Sequence, residues 1–413
     1  MRIVLLNDDA LPDARGGAAV IVDKLKNGYK KIGHTVLLVT THQDASKGIR
    51  IQTDNVISLL SIYPQRKRHR HCVSHTSITS ELEKIFQEFQ PDVVHAHNVH
   101  SHLTYKSLEV AKKYTNNIVL TAHDTFLVSF GRIHGRHFEK LTSMNRAVRL
   151  HWWNHVLAAG RKYWPLRNWS IRRILKKTDT KVVAIGSAVS SVLEKNGIHV
   201  TTSIPNGVEN WKDLSLKEVQ AFRKQYNLTC PTILSAGRIR TDKGIDALLD
   251  AAELVLLEAP CTQFLIIGDH ENLKPHLKNR NNTVKNAIVT TGWIGAEEAR
   301  IAFLASNIVT TPSLYLDNFP TVNLEAMAAS KPVVGTIYGG TPEVVNHNKT
   351  GFICNPRETE IYANHMIDLL AHPDKAKEMG EAGKRRVEKN FSQDKMIESY
   401  LAIFTSPNKS TTS

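Results

Sequence analysis

Four consecutive apolar residues, Ile3-Val4-Leu5-Leu6, open the chain, and the next such run, Val36-Leu37-Leu38-Val39, follows only after a stretch with helical periodicity. In that stretch Val22, Leu25, Tyr29 and Ile32 recur every three or four residues, which gathers them into one stripe on a helix. Further short apolar runs at 92–95, 118–121 and 181–184 are each followed by helix-compatible sequence. Runs that are apolar on both faces and alternate with helices pack as a parallel, doubly wound sheet.

After the turn-rich Ile204-Pro205-Asn206-Gly207-Val208 the pattern restarts, with Ser215 and Glu218 at capping-box spacing ahead of a helix. The second set of strand candidates is 232–236, 264–267, 288–290, 308–310 and 332–335. A chain of 413 residues is too long for one ordinary core. The expected fold class is therefore α/β, with two Rossmann-like doubly wound domains facing across a cleft, the default ligand site. The expected domains are 1–205 and 206–390, with a helix at about 391–405 packing back on the first. The tail, 406–413, has no apolar side chain to bury and is expected to be disordered.

Cys72, Cys230, Cys261 and Cys354 lie far apart with no Cys-x-x-Cys pair, so neither a disulfide framework nor a zinc knuckle is expected and a reducing cytosol fits best. The start, MRIVLLNDDA, lacks the basic and long apolar regions of a signal peptide, and no stretch approaches the ~20 apolar residues of a spanning helix. A cytoplasmic protein is expected.

The formal charge of +14 is concentrated: twelve Lys or Arg stand between Arg132 and Lys177 against one acid, Glu139. Four of the six tryptophans, Trp152, Trp153, Trp164 and Trp169, share that stretch, and Val148, Trp152, Val156, Ala159 and Tyr163 form an apolar stripe at helical spacing. Tryptophan with arginine suits a lipid headgroup region, which would make the protein peripheral on an inner membrane face. The segment can equally pack Trp152 and Trp164 onto the first sheet with its arginines solvated, or use its cations on the diphosphate of a lipid-linked acceptor. Nucleic acid is disfavoured, because no nucleic-acid fold motif accompanies the charge.

The chemistry concentrates in the second half. Gly237-Arg238 ends one strand candidate, and Lys243-Gly244 opens the next helix, which puts two cations and free backbone N–H groups at a strand's carboxyl end. Asp317 and Glu325 lie inside 312–328, where Pro320 suits a helix's first turn, so a loop carrying Asp317 hands over to a helix carrying Glu325. Loop amides and a helix N-terminus can hold phosphate, Asp317 can accept from sugar hydroxyls, and Glu325 can accept from a ribose diol. No Asp-x-Asp occurs, so neutralisation of a departing diphosphate by fixed cations is expected, with no metal and no cofactor. Gly16-Gly17 does not satisfy the Gly-x-Gly-x-x-Gly dinucleotide pattern. His95, His97, His100 and His102 have no matching acidic or cysteine partner for a metal and read as strand-end and loop residues.

Gly237-Arg238 with Lys243-Gly244, Thr291-Gly292-Trp293, the 312–328 stretch and Gly339-Gly340-x-Pro342-Glu343 together resemble glycosyltransferase family 4, whose members are retaining enzymes of the two-domain GT-B fold. The likeness covers nearly the whole chain and includes Gly16-Gly17, His97 and Ile204-Pro205-Asn206-Gly207. It implies diphosphate contacts for Arg238 and Lys243 beside Gly237, and a ribose contact for Glu325. It further implies a nucleotide base bordered by Gly292 and Trp293, phosphate approached by the Gly16 and Gly17 amides, and a transferred sugar near His123. Where the family usually has Glu this chain has Asp317, shorter by roughly 1.5 Å of reach. Asp317-Asn318-Phe319-Pro320, ahead of Thr321, resembles a subset of bacterial polysaccharide-assembly transferases.

The implied reaction is transfer of a hexose-type unit from a nucleoside-diphosphate sugar to a glycan or polyprenyl-diphosphate-linked acceptor, with His97, Arg132 and Arg136 on the acceptor side. Two other readings stay open: a non-catalytic nucleotide-sugar-binding protein on the same scaffold, and an epimerase or hydrolase of related fold.

Overall fold

The computed structural model describes residues 1–12, 16–134, 148–211 and 215–406. Arg136, Glu139 and the tail beyond Ser406 lie outside them. Among the described residues two compact units form, one from 1–132, 148–206 and 394–406, the other from 133–134 and 207–393.

The first unit is built on strands β1 (Arg2–Leu6), β2 (Thr35–His42), β3 (Arg50–Thr53), β4 (Val56–Leu60), β5 (Val93–Ala96), β6 (Ile118–Ala122), β7 (Lys181–Ala184) and β8 (Thr202–Ser203), in spatial order β3-β4-β2-β1-β5-β6-β7-β8. All neighbours are parallel except β3 and β4. Ile3, Leu5, Val36, Leu38 and Val93 meet Val22, Leu25 and Tyr29 of the helix Gly17–Lys31 in one core. Ile32, expected in that stripe, is 50% exposed, because the helix ends at Lys31 and Gly33 turns the chain away at φ +89°. The helix Gln393–Thr405 adds Met396, Ile397, Tyr400 and Phe404 to the same core, and Asn117 Nδ2 donates to the carbonyl of Phe404.

The second unit carries β9 (Thr232–Ala236), β10 (Gln263–Ile267), β11 (Ile288–Gly292), β12 (Ile308–Thr311), β13 (Val333–Thr336) and β14 (Gly351–Cys354), all parallel, in order β11-β10-β9-β12-β13-β14. The order reverses at β9, between β10 and β12. A crevice therefore opens at the carboxyl ends of β9 and β12, where an open α/β sheet takes its ligand. Ser215 and Glu218 make the capping box of the helix Leu216–Gln225. Ile133 and His134, expected in the first domain, pair instead with the second unit. There the N–H of Leu316 donates to the carbonyl of Ile133 at 2.8 Å, and His134 bridges Tyr315 antiparallel.

The cysteines depart from expectation, because Cys230 and Cys261 form a disulfide. Register explains it: Thr232 of β9 stands opposite Gln263 of β10, so the residues two positions before each fall side by side, with Cα atoms 5.6 Å apart. A separation of 31 residues is one strand–helix–strand repeat, far longer than a Cys-x-x-Cys spacing. The cysteines therefore no longer point to a reducing compartment. Cys72 and Cys354 are free and buried. Among the described residues, no helix is long and apolar enough to cross a membrane.

Candidate functional site

In the second unit, β9 delivers Gly237 and Arg238 to the crevice, and the short turn Thr241–Lys243 places Lys243 just before the helix Ile245–Glu258. From the other side β12 delivers Pro312, Ser313 and, across a loop, Asp317. All of these line one pocket with Ser235, Thr310, Pro320 and Val322. Lys243 Nζ stands 2.6 Å from Asp317 Oδ2, and Ser313 Oγ donates to the same oxygen at 3.0 Å. Burial disfavours the Lys243 ammonium, but the Asp317 carboxylate outweighs it and raises the lysine's pKa. Burial likewise works against the Asp317 carboxylate, yet Lys243 and Ser313 hold its pKa below the ordinary value. Both groups are charged at neutral pH.

Two glycines let the loop close on the lysine. Gly244, at φ +80°, lies so near the loop that a Cβ there would stand 1.8 Å from the carbonyl oxygen of Pro312. A Cβ at Gly339, φ +70°, would stand 2.0 Å from the carbonyl oxygen of Asp317, which accepts from the Gly340 N–H at 2.8 Å. Gly339→Ala is therefore expected to lower stability by about 2–4 kcal/mol through clash and positive φ together, read as a fall in the denaturation midpoint. A midpoint unchanged by the substitution would contradict the described loop packing.

Arg238 is exposed and makes no ion pair among the described residues. The helix Thr321–Ala328 begins at Pro320, its N-cap rather than a first-turn residue, with no side-chain cap, so its first amides are available to an anion. Thr321 and Glu325 are half-buried on that helix. Asn318 is half-buried in the loop, whereas the Phe319 ring is buried with its centroid 5.9 Å from that of Phe391. The side chain of Phe319 thus packs the loop. Gly292 and the half-exposed Trp293 lie at the end of β11, the sheet edge, two strands from β9 and outside the Arg238–Lys243–Asp317 pocket.

Sequence reasoning missed the supports. Thr311 Oγ1 donates to Asn323 Oδ1 at 2.9 Å, and Asn323 Nδ2 to Thr341 Oγ1 at 3.2 Å, so a fully buried asparagine ties β12 to two helices. Arg357 reaches Tyr338 Oη at 2.7 Å and the Leu314 carbonyl at 3.4 Å, bracing the loop from behind. Asn323 sits inside the 312–328 motif, but only its zero exposure separates a structural amide from a ligand contact.

In the first unit, His97 follows β5 and His123 follows β6. His97 Nδ1 and His123 Nε2 are 2.9 Å apart, and both rings are buried, His97 to 2% exposure. His97, expected on the acceptor side, is turned inward at the strand end and its ring is joined to that of His123. Four histidines within eight residues part company: His95 bonds Thr121 at 2.8 Å, which continues to Tyr400, while His102 bonds Ser61 and His100 stands 3.8 Å from Asp124. The buried Asp8 accepts from the N–H groups of Ser101, His102 and Leu103 and so pins the loop after β5. Arg167 is fully buried and donates to the carbonyls of Phe126 and Ser129, fixing the segment beyond His123. It is not among the solvated cations of its stretch. Arg132 is half-buried at the end of the first unit's long segment.

Burial pushes the pKa of His95 and of His123 down to about 3, and that of His97 down as well. Unfolded histidine titrates near 6.5, so below that pH the unfolded chain binds more protons and the native state loses stability as pH falls, by about 1.4 kcal/mol per histidine per pH unit. A melting temperature that falls from pH 7 to pH 5, with a shallower fall in His95→Gln, is the expected result. Equal slopes would remove the buried neutral histidines from the account.

Residues 15–210 match the family model described as Glycosyltransferase Family 4, and residues 217–386 the model described as Glycosyl transferases group 1. Spore coat protein SA of Bacillus subtilis is 27% identical over 42% of this chain and 48% of its own length. The trehalose synthase of Pyrococcus horikoshii is 27% identical over 60% of each. The chain thus spans about half the length of the curated relatives it first matches, although an uncharacterized glycosyltransferase of Methanocaldococcus jannaschii aligns over 98% of both chains at 23% identity. Among solved structures, sucrose-phosphate synthase of Thermosynechococcus elongatus superposes with a TM-score of 0.74 at 19% identity, covering 98% of each chain. HepE of Anabaena, solved with UDP and glucose, superposes at 0.70 and 17% identity, covering 98% of this chain and all of its own.

Proposed function

We propose, from the premise that this chain is a family 4 glycosyltransferase of the GT-B fold that uses a nucleotide sugar, that it transfers a hexose-type unit with retention, without a metal, to a glycan or polyprenyl-diphosphate-linked acceptor. The observation that carries the reading is the convergence of Arg238, Lys243 and the uncapped start of the helix Thr321–Ala328 on the switch point of the second sheet. The bond to the sugar's anomeric carbon breaks with its electron pair going to the diphosphate, and these groups stabilise that growing charge.

The remaining residues take the following roles in the proposal. Gly237 opens the loop that presents Arg238, and the amides of Asn318, Phe319 and Thr321 lead to the phosphate, since the Asp317 N–H is donated to the Tyr315 carbonyl and Pro320 has none. Glu325 accepts from the ribose, and Gly292 and Trp293 border the base. Asp317 accepts from the sugar, and its pairing with Lys243 at 2.6 Å supports a second role as the counter-ion that fixes the ammonium. On the first unit, His123 serves the transferred sugar with His97 as its positioning partner, and Arg132 serves the acceptor, as does Arg136, which lies outside the described residues. Gly16 and Gly17 stand in open space, where a Cβ would meet nothing within 4 Å, so packing within the protein does not require glycine there. That supports a ligand-facing role for their amides.

A screen of UDP-, GDP- and ADP-sugars in EDTA, with the anomeric configuration of the product read by NMR, tests the proposal. Transfer with retention from one donor is expected, and absence of both transfer and hydrolysis across the panel would overturn it. Because Asp317 already occupies Lys243, a nucleotide-sugar-binding protein is the second reading, and binding by calorimetry without turnover would favour it.

A further inference from the structure

The helix Trp152–Ala159 buries none of its residues. Trp152 is 66% exposed, Trp153 47% and Leu157 82%, whereas of the expected apolar stripe Val148 is buried and Val156, Ala159 and Tyr163 are half-buried, so the helix keeps one face on the protein and turns Trp152, Trp153 and Leu157 to water. Leu166 and Trp169, at the start of the helix Arg167–Thr178, are 55% and 56% exposed. The two helices meet around one buried ring. The Phe130 ring lies 5.1 Å from His155 and 5.2 Å from Tyr163, and the Arg167 guanidinium lies 4.8 Å over it. From Val148 to Thr178 no acid occurs, and Arg149, Arg161, Lys162, Arg172, Arg173, Lys176 and Lys177 are all exposed. Only Lys177 among them is ion-paired within the described residues, with Glu109 at 3.0 Å. Arg173 lies over the Trp169 ring at 5.4 Å.

We infer that this face is a docking surface for an anionic lipid bilayer, with Trp152, Leu157, Leu166 and Trp169 entering the interface and the basic side chains held at the headgroups. Charge selects the occupant. A second copy would bring like charge against like in a two-fold contact, whereas anionic headgroups complement every exposed cation. Chemistry selects it again, since Leu157 and Leu166 offer no ring on which a nucleic-acid base can stack, while tryptophan at a membrane interface with aliphatic side chains below it is the usual arrangement. Binding here needs no turnover, so the inference stands apart from the transferase reading.

The full-length protein is mixed with vesicles of phosphatidylcholine alone or with phosphatidylglycerol, and flotation is compared for wild type, Arg172→Gln/Arg173→Gln and Trp152→Ser/Leu157→Ser. The wild type is expected to float with the anionic vesicles only and to be released by salt. Loss of two charges is expected to weaken partitioning roughly thirtyfold, and loss of the two apolar side chains at least as much, with melting temperatures unchanged. Equal flotation with both vesicles, flotation with neither, or wild-type partitioning by both variants would overturn the inference. So would concentration-dependent dimerisation that the Trp152→Ser/Leu157→Ser change abolishes, or displacement from anionic vesicles by a single-stranded oligonucleotide at equal charge.

Discussion

Lys243→Ala is expected to lower turnover by about 10³-fold, the range for removing one preorganised charge stabiliser from a reacting centre. It is also expected to cost about 1–3 kcal/mol of stability, because the half-buried Asp317 carboxylate is left without its cation. The two losses separate in a double variant. Lys243→Ala with Asp317→Asn removes both charges, so stability should return most of the way while turnover stays down. If activity returned with stability, Lys243 would be a structural cation only. If Lys243→Ala alone changed neither, the 2.6 Å ion pair would not describe the protein in solution.

Arg238→Ala gives the opposite pattern. The side chain is exposed with no ion pair among the described residues, so its removal should change stability by less than about 0.5 kcal/mol. Removal should nonetheless reduce kcat/KM about 10²–10³-fold, since its only role in the account is on the diphosphate. Arg238→Lys should recover part of the loss, as a point charge replaces a two-pronged donor. A large fall in the melting temperature would instead show that Arg238 supports the fold.

Continuous apolar runs made the central strands readable: 181–184 and 232–236 coincide with β7 and β9, and the others lie within a residue or two except β2, which runs three residues past Val39. The margins of the first sheet were not readable. Within β4, next to the edge, only Ile57 and Leu59 are buried, and the edge strand β8 has two residues, so neither carries the doubly buried run that identifies the central strands. Helical periodicity likewise located the helix Trp152–Ala159 without saying which way its stripe faces, because an apolar face suits a core and an interface equally.

The candidate site divides in the same way. Gly237-Arg238 and Lys243-Gly244 were legible because a strand end and a helix start are local patterns, and the sheet order then puts β12 beside β9. The Lys243–Asp317 pair was not legible. It joins residues 74 apart and exists only because Gly244 and Gly339 let the intervening loop approach. The inward turn of His97 and the burial of Arg167 are also tertiary outcomes, since a polar side chain in a motif reads the same whether it meets a ligand or a neighbour.

Calorimetric titration of UDP, GDP and ADP in EDTA into wild type and Arg238→Ala tests the central claim most directly. The account predicts that one nucleotide binds the wild type without divalent metal, and that Arg238→Ala binds it at least about 100-fold more weakly at an unchanged melting temperature. Equal affinity in the two proteins, or binding that appears only when a divalent metal is added, would contradict it.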